Sequence, residues 1–354
     1  MTNLEKMQSL LTDDVQALLL TSQVSRQYAA GYDVHEGVAV IGKEKCFCFT
    51  DSRYLEVAQE NLPHFTVREM NRDNLYPALI NAALEELGAT CAGIEDTELT
   101  HSEYLYYEKN LHAELRPYQK ELSALRQIKQ AWEIERIKQA QAITDLAFMR
   151  ICDILQPGMT EKEVAAELIY CMLKHGAEGL SFDPIVVSGP NSSKPHGVPS
   201  DRKLEYGDFI TMDFGAKVGG YCADMTRTVA LGFVSEEMSR VYETVLRAQE
   251  TAIAVTKAGV TGAEVDEAAR KVIAQAGYGA YFGHGYGHGV GLKVHEAPNC
   301  SPANAAPLPA GAVCSAEPGV YLPGKFGVRI EDLVVITADG CENITKSPKK
   351  LMVI

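Results

Sequence analysis

The sequence predicts an α/β (α+β) chain in which a small α/β domain precedes a larger domain built from two similar halves. Three observations lead to this prediction. The length of 354 residues suits two domains. Strand-like and helix-like stretches alternate through residues 1–122. In the remainder, one short pattern recurs at an offset of 101 residues. We therefore expect domains at 1–122 and 123–354.

The first domain shows short apolar runs separated by turn residues. Residues 15–21 and 37–41 are expected to form buried strands, and residues 42–45 to turn the chain into a hairpin partner at 46–50. Helical spacing of apolar residues follows at 53–61, 75–87 and 101–111. The histidines here stand alone in the sequence, so we expect no ligand cluster in this domain.

The second domain opens with a long amphipathic stretch and then repeats a helix start. Apolar residues recur at helical spacing through 125–149. The pattern Thr-x-x-Glu, which can form a capping box, occurs at Thr160 and again at Thr261. The two helices are expected to end near residues 176 and 277. Each is followed by a β segment with carboxylates, so each half is expected to supply a pair of acidic side chains.

Charge and cysteine content limit the classes of binding partner and the cellular compartment that we expect for this chain. A net charge of -14 argues against nucleic acid or an anionic membrane as a main partner. The N-terminus has no apolar core of a signal peptide, and no run approaches the ~18 apolar residues of a membrane span. The nine cysteines are dispersed and form no Cys-x-x-Cys pair. Free thiols in a reducing cytoplasm are therefore expected.

One acidic pair is predicted in the first half. Asp213 interrupts the apolar run 209–214, which is typical of a buried strand. If residues 217–220 form a hairpin loop, the ladder places Asp213 opposite Asp224. Like charges directly opposite on a sheet are destabilising, so a cation held between them is the simplest explanation. The alternative is that one carboxylate caps a turn or pairs with Arg227.

A second acidic pair is predicted in the second half. Residues 312–316 are expected to form a strand that ends at Glu317, and residues 328–336 a neighbouring strand that carries Glu331. Arg329 lies two residues before Glu331, so both are expected on one face, where the guanidinium can orient the carboxylate. The alternative is a surface salt bridge, for which an apolar strand is an unusual setting.

Histidines are concentrated close to these acids. His284, His288 and His295 alternate with glycines that allow close backbone approach and disfavour a long helix. We expect them to line a pocket, with residues 292–295 in a strand; the alternative is three separate structural histidines. His196 lies in a loop rich in Gly, Pro and Ser between the two halves. Four carboxylates and a histidine suit two hard-to-borderline divalent ions.

Five strings occur in order along the second domain: MDFG, DMTRT, GHGVGLKVHEAP, SAEPGVY and GVRIED. Together they resemble the pita-bread metallopeptidases, specifically the proline-directed branch of Xaa-Pro dipeptidases (prolidases) and Xaa-Pro aminopeptidases. FTDSRY at 49–54 resembles the creatinase-type N-terminal domain, so the resemblance spans the chain. It implies a creatinase-type domain at 1–122 and, at 123–354, a pita-bread catalytic domain with a pseudo-twofold internal repeat.

The resemblance also implies a dinuclear site with defined residue roles. Two divalent ions, most often manganese with cobalt or zinc as alternatives, would be held by Asp213, Asp224, His288, Glu317 and Glu331. Asp224 and Glu331 would bridge the ions, and Glu317 would also act as general base toward the water that the ions share. The catalytic set would be completed by His196, His284, His295 and Arg329. Ser315 stands where threonine is frequent, and a hydroxyl is retained.

The implied reaction is hydrolysis of the Xaa-Pro bond by a hydroxide that bridges the ions. That bond is a tertiary amide without an N–H for an ordinary protease to recognise. The short chain and the GHGVGL and VHE strings favour a dipeptidase; the alternative is an aminopeptidase acting on longer peptides. The partners implied are a small peptide with proline in second position and a second copy of the chain in a homodimer.

Three rival functions share the fold. A creatinase-like amidinohydrolase works without metal but lacks the complete ligand set, so metal analysis would distinguish it. A non-catalytic binding protein would fail a dipeptide hydrolysis assay. A methionine aminopeptidase is disfavoured because it has no comparable first domain.

Overall fold

A computed structural model describes residues 1–354 and divides the chain into two compact units, Met1–Arg126 and Gln127–Ile354. Both units mix helices and sheets, which confirms the predicted α/β class. The boundary predicted after residue 122 falls within the helix Gln119–Gln127 and stays a prediction.

The first unit is a six-stranded mixed sheet with helices. The sheet order is β4-β3-β2-β1-β5-β6, with β1, β2 and β3 antiparallel in turn and the outer pairings parallel. The elements are β1 Ala17–Leu20, β2 Val38–Ile41, β3 Cys46–Thr50, β4 Thr66–Glu69, β5 Cys91–Ile94, β6 Glu114–Pro117, α1 Asn3–Gln8, α2 Gln23–Ala30, α3 Leu55–Asn61, α4 Tyr76–Leu87, α5 His101–Asn110 and α6 Gln119–Gln127.

The burial of each strand agrees with its place in the sheet, central or at the edge. β1, β2, β3 and β5 are wholly buried, whereas the edge strands β4 and β6 each have exposed residues at both ends and partly buried residues between them. The hairpin predicted between residues 37–41 and 46–50 is confirmed by the β2–β3 pairing. The three predicted helices correspond to α3, α4 and α5.

The second unit has two halves with the same element sequence, two helices followed by strands. The first half contains α7 Ala131–Cys152, α8 Glu161–Lys174, β7 Gly179–Leu180, β8 Ile185–Ser188, β9 Phe209–Phe214, β10 Ala216–Val218, β11 Tyr221–Cys222 and β12 Met225–Ala230. The second contains α9 Glu236–Val255, α10 Gly262–Gln275, β13 Gly287–Gly289, β14 Glu296–Cys300, β15 Val313–Ala316, β16 Gly319–Leu322, β17 Phe326–Arg329, β18 Asp332–Ile336 and β19 Cys341–Asn343.

The strands of this unit form four sheets. Two small sheets in the first half have the orders β12-β9-β8 and β11-β10-β7. The second half has the five-stranded order β14-β13-β15-β18-β19 and the β16–β17 hairpin. Each half also has its own apolar core, one beneath α7 and α8 and one beneath α9 and α10. The predicted repeat is therefore visible in both element sequence and packing.

The predicted helix starts are confirmed. Thr160 begins α8 and Thr261 begins α10, each with a capping box closed by a glutamate three residues on. The stretch predicted as one amphipathic run from residue 125 is interrupted between α6 and α7, and α7 starts at Ala131. None of the helices combines the length and the apolar character that a membrane span requires.

The predicted register of the first hairpin is wrong by two residues. Val218 pairs with Tyr221, so the loop is only Gly219-Gly220, and both glycines have positive φ. A two-residue loop of this kind matches the twist of the flanking strands better than the expected four-residue loop. Asp213 consequently lies opposite Thr226 rather than opposite Asp224.

The single strand predicted over residues 328–336 is also wrong. β17 ends at Arg329 and pairs with β16, whereas β18 starts at Asp332 and pairs with β15. The chain leaves one sheet and enters another between them, at Ile330 and Glu331. Both residues are buried, so the break carries Glu331 into the interior of the unit.

Candidate metal centre

Every site residue predicted from the sequence lines one cavity of about 520 Å³ in the second unit. The cavity contains the sequence-predicted residues Asp213, Asp224, His288, Glu317, Glu331, His196, His284, His295 and Arg329. Its wall also includes Phe182, Asp183, Ile185, Asn299, Ser301 and Tyr321, none of which was given a role in the sequence analysis.

The acidic residues lie in or next to strands that end or change partners. Asp213 is in β9, and Asp224 lies in the gap between β11 and β12. Glu317 directly follows β15, and Glu331 lies between β17 and β18. Gly215 allows the gap before β12, because a Cβ there would collide with the carbonyl of Ala223. Strand irregularities thus turn these carboxylates toward one space.

The cavity has the donor set of a divalent-metal site. Ligand atoms of Asp224, His288 and Glu331 lie within 4.8 Å of one another. Asp213 is buried, and its Oδ1 has no hydrogen-bond partner. Unpaired buried oxygen atoms are costly unless a cation or donor satisfies them. Carboxylate oxygens with one imidazole fit a hard-to-borderline divalent ion.

Glu317 and His288 form an ion pair on the cavity wall. His288 Nε2 lies 3.1 Å from Glu317 Oε1 and 3.6 Å from Asp224 Oδ2. Burial favours the neutral form of each, but the hydrogen bond and the opposite charge outweigh it. The pKa of Glu317 falls to about 2 and that of His288 rises to about 9. The pair neutralises part of the charge buried in the cavity wall.

The other carboxyl groups are held toward their protonated forms. Burial, followed by the charges of Glu331 and Asp213, raises the pKa of Asp224 well above its usual value. Burial, followed by the charges of Glu317 and Asp213, does the same for Glu331. The pKa of Asp213 is raised by burial, although Arg329 opposes this shift. This crowding of acids fits a site that a cation neutralises.

Arg329 contacts Asp213, and the predicted pairing of Arg329 with Glu331 is wrong. Its Nη2 donates to Asp213 Oδ2 at 2.6 Å. Glu331 lies beyond the end of β17 and accepts instead from the hydroxyl of Thr226 at 2.7 Å. Thr226 in turn accepts from Arg329 Nε at 2.9 Å, which links the two acidic residues indirectly.

Tyr321 and Thr226 were missed as site residues by the sequence analysis. The hydroxyl of Tyr321 lies 2.9 Å from His284 Nε2 and accepts from Arg329 Nη1 at 2.9 Å. Both missed residues lie within the strings SAEPGVY and DMTRT, which was the available signal. Tyrosine and threonine are common strand residues, so their type alone indicates no role.

The remaining histidines reach the cavity from irregular segments. The strand predicted at 292–295 is wrong, because residues 291–295 form a bend and β14 begins at Glu296. The rings of His295 and His288 lie 4.1 Å apart between centroids. His196 lies in the loop after the 3₁₀ turn Gly189–Ser193, as expected from its Gly- and Pro-rich surroundings.

The sequence matches two known families that together account for most of the chain. Residues 135–338 match the sequence profile of metallopeptidase family M24. Residues 4–128 match the profile described as the creatinase/prolidase N-terminal domain.

Similar proteins cover the whole length of the chain. A protein of Pyrococcus furiosus named Xaa-Pro dipeptidase is 36% identical, over 99% of both chains. A structure titled Xaa-Pro dipeptidase from Bacillus anthracis is 40% identical, with a TM-score of 0.95 over 99% of both chains. A structure titled X-Pro aminopeptidase from Thermotoga maritima is 39% identical, with a TM-score of 0.91 over 96% of this chain and 98% of that one.

We predict that metal binding releases protons from this site. The pKa of His288 is raised to about 9, so His288 holds a proton at neutral pH that a bound cation must displace, and the raised pKa values of Asp224 and Glu331 act in the same direction. Calorimetric titration of the metal-free protein with Mn²⁺, in buffers of different ionisation enthalpy, should show at least one proton released. The apparent affinity should rise between pH 6 and 8. The variant Asp201→Asn, at an exposed residue outside the cavity, is the control. A heat of metal binding that does not depend on the buffer would contradict the prediction.

Proposed function

This chain belongs to metallopeptidase family M24, and from that membership we propose that it hydrolyses the bond between an N-terminal residue and proline, with Xaa-Pro dipeptides as substrates. The observation that carries the proposal is one cavity that gathers four buried or nearly buried carboxylates, His288 and three further histidines. Relatives that are named Xaa-Pro dipeptidase and match 99% of this chain support the substrate class.

We propose that the site holds two divalent cations, with Mn²⁺ as the working metal and Co²⁺ or Zn²⁺ as alternatives. Their ligands would be Asp213, Asp224, His288, Glu317 and Glu331. The convergence of Asp224, His288 and Glu331 and the unpartnered Oδ1 of Asp213 support this assignment. When bound, such ions lower the pKa of the attacking water and stabilise negative charge on the peptide oxygen.

Glu317 is the residue best placed to take the proton of that water. It is ionised, as its lowered pKa shows. Ser315 Oγ donates to Oε1 at 3.0 Å, and His288 contacts the same oxygen, so both partners lie on one side of the carboxylate. That arrangement would leave the second oxygen, Oε2, to accept a proton. A fixed carboxylate within hydrogen-bond reach is the usual arrangement for a general base.

The histidines outside the group of converging ligand atoms are assigned to the substrate. His196, His284 and His295 line the same space as the ligands. The ring nitrogens of His196 and His295 can hydrogen-bond the peptide carbonyl as charge develops on it, and the leaving imino nitrogen. Both ring nitrogens of His284 contact protein groups, the carbonyl of Gly285 and the hydroxyl of Tyr321, so His284 shapes the wall beside the substrate. Arg329 donates to Asp213, Thr226, Tyr321 and the carbonyl of Pro195, so it positions Asp213 and Tyr321.

An aminopeptidase that acts on longer Xaa-Pro peptides is the second candidate. It is favoured by the likeness to the Thermotoga maritima structure titled X-Pro aminopeptidase, whose identity of 39% nearly equals that of the Bacillus anthracis dipeptidase. A metal-free amidinohydrolase or a binding protein is disfavoured, because the complete donor set lies in one cavity.

We also propose a homodimer in the cytoplasm. Exposed large apolar side chains in the first unit support a contact with a second copy: Val57, Leu75, Leu105 and Tyr106. All nine cysteines are free in the structure, in keeping with a reducing compartment.

Activity is expected to depend on metal and on peptide length. Treatment with a chelator should abolish hydrolysis of Met-Pro or Ala-Pro, and added Mn²⁺ should restore it, because the carboxylates alone supply no positive centre to stabilise the oxyanion.

The same preparation assayed on Met-Pro and Met-Pro-Ala should prefer the dipeptide. Preference for the tripeptide would favour the aminopeptidase, and full activity in a rigorously metal-free sample would refute the metal mechanism.

Substitutions should separate the roles of Glu317 and Glu331. Glu317→Gln keeps one coordinating oxygen but cannot act as base, so it should retain much of its metal and lose roughly 10²-fold or more in kcat. Glu331→Ala should lose metal and thermal stability together. Metal content and kcat are measured on the same samples, with the surface variant Glu342→Gln as control. Glu317→Gln turning over at the wild-type rate would remove Glu317 from the proton transfer.

Light scattering tests the dimer. The expected mass in solution is twice that of one chain of 38.6 kDa, over a range of protein concentrations. A mass of one chain at all concentrations would show that the protein is a monomer.

A further inference from the structure

A buried carboxylate outside the metal cavity holds the loop that carries His196. Glu161 is the first residue of α8, it is 0% exposed, and it does not line the cavity. The hydrogen-bond partners of its carboxylate are all in the segment 188–200, which we call the His196 loop. An isolated buried carboxylate is strongly unfavourable, so the hydrogen bonds to this loop are what make its burial possible.

Each oxygen of Glu161 binds one end of the His196 loop. Oε1 accepts from the amide and the hydroxyl of Ser188, at 2.7 and 2.8 Å. Oε2 accepts from the amide and the hydroxyl of Ser200, at 3.0 and 2.6 Å. Asn191 Nδ2 lies between the two oxygens, at 3.2 and 3.4 Å. One side chain therefore bonds both ends of the loop, where the amide of Lys162 also donates to the carbonyl of Ser200 at 3.2 Å and Arg202 Nη1 to Ser188 Oγ at 2.7 Å.

The apex of the loop is fixed on the strand that carries Arg329. Ser192 Oγ accepts from the amide of Gly327 at 2.9 Å, and the carbonyl of Pro195 accepts from Arg329 Nη1 at 3.2 Å. His196 is the next residue and lines the cavity. Since the loop has only one short 3₁₀ turn of its own, its conformation depends on the contacts at its base and apex.

The second half of the repeat shows that Glu161 is not needed to start the helix. α8 and α10 both begin with a threonine N-cap and a glutamate capping box. At the offset of 101, the position of Glu161 is occupied by Gly262 in α10. A Cβ at Gly262 would collide with the carbonyl of Asn299, so this helix start instead lets another cavity-lining segment approach. The carboxylate of Glu161 is thus specific to the half that carries the His196 loop.

We propose that Glu161 is a positioning residue, which holds His196 against the substrate by fastening both ends of the His196 loop. The inference rests on the proposed function, in which His196 binds the scissile peptide. Burial acts to raise the pKa of Glu161, but the hydrogen bonds from Ser200, Ser188 and Asn191 outweigh it and lower the pKa. The carboxylate therefore stays ionised, as an acceptor of several donors must.

The variant Glu161→Gln tests this role in the full-length, Mn²⁺-loaded enzyme. The amide places a donor where one loop end needs an acceptor, so one end should detach. We expect kcat/KM for Met-Pro to fall about tenfold to a hundredfold, the scale of a misplaced catalytic group, while metal content stays at the wild-type level. Glu163→Ala, which weakens the cap of the same helix, is the matched control. It should lower the thermal midpoint and leave kcat/KM unchanged.

A double-mutant cycle with His196→Ala distinguishes positioning from a general loss of stability. If Glu161 acts through His196, Glu161→Gln should have little further effect on kcat/KM once His196 is alanine. An equal loss in both backgrounds would overturn the proposal. Wild-type kcat/KM in Glu161→Gln would also overturn it, although the proposed peptidase function would stand.

Hydrogen exchange gives a readout that does not depend on activity. Glu161→Gln should increase exchange of the amides in residues 188–200 selectively, and Glu163→Ala should not. If Glu161→Gln does not fold, Ser200→Ala removes one donor at the loop base and should give the same local increase. Unchanged protection of the loop would refute the proposal, even if the wild-type protein cleaved no Xaa-Pro peptide and the proposed function were therefore wrong.

Discussion

Repulsion among the carboxylates is the constraint on which the second unit depends. Asp213, Asp224, Glu317 and Glu331 face one cavity, and Arg329 is the one arginine or lysine in its wall. Two unit charges about 4 Å apart repel by roughly 4 kcal/mol in partly buried surroundings. The pairing of Glu317 with His288 relieves part of this repulsion, and the raised pKa values of Asp224 and Glu331 favour their uncharged forms. Divalent cations relieve it more completely, so the chemistry of the site and the stability of the fold share one cause.

The backbone brings these acids together by interrupting its own sheets. Asp224 lies in a gap between strands, and Glu331 lies where the chain passes from the β16–β17 hairpin to the five-stranded sheet. A regular strand would direct alternate side chains to opposite faces and leave neighbouring acids apart. Each half contributes two acids, and Thr226 connects the halves by bonding both Arg329 and Glu331. The internal repeat therefore makes a convergent site from two similar strand groups.

The sequence predicted which residues line the cavity but not which of them contact one another. The acids and histidines were visible because charged residues in apolar, glycine-rich strands have few structural explanations, and their strings resemble a known family. The residue opposite Asp213 was not visible in the sequence, because it depends on whether Gly219-Gly220 or a four-residue stretch makes the turn. An error of two residues in the turn places a different residue opposite Asp213. The pairing of Arg329 was missed for a related reason. One continuous strand and a chain that passes from one sheet to another have the same local apolar pattern. Long-range contacts such as Arg329 to Asp213 follow from topology, which periodicity does not contain.

Equivalent positions of the two halves have diverged around the cavity. The helix starts at Thr160 and Thr261 are capped alike, but Glu161 bonds the loop beside α8, whereas Gly262 admits the segment at Asn299 beside α10. The two halves thus bring different segments to one cavity, the His196 loop beside α8 and the segment at Asn299 beside α10. A peptide has two chemically different ends, so a cavity with unlike walls suits it better than one with two identical walls.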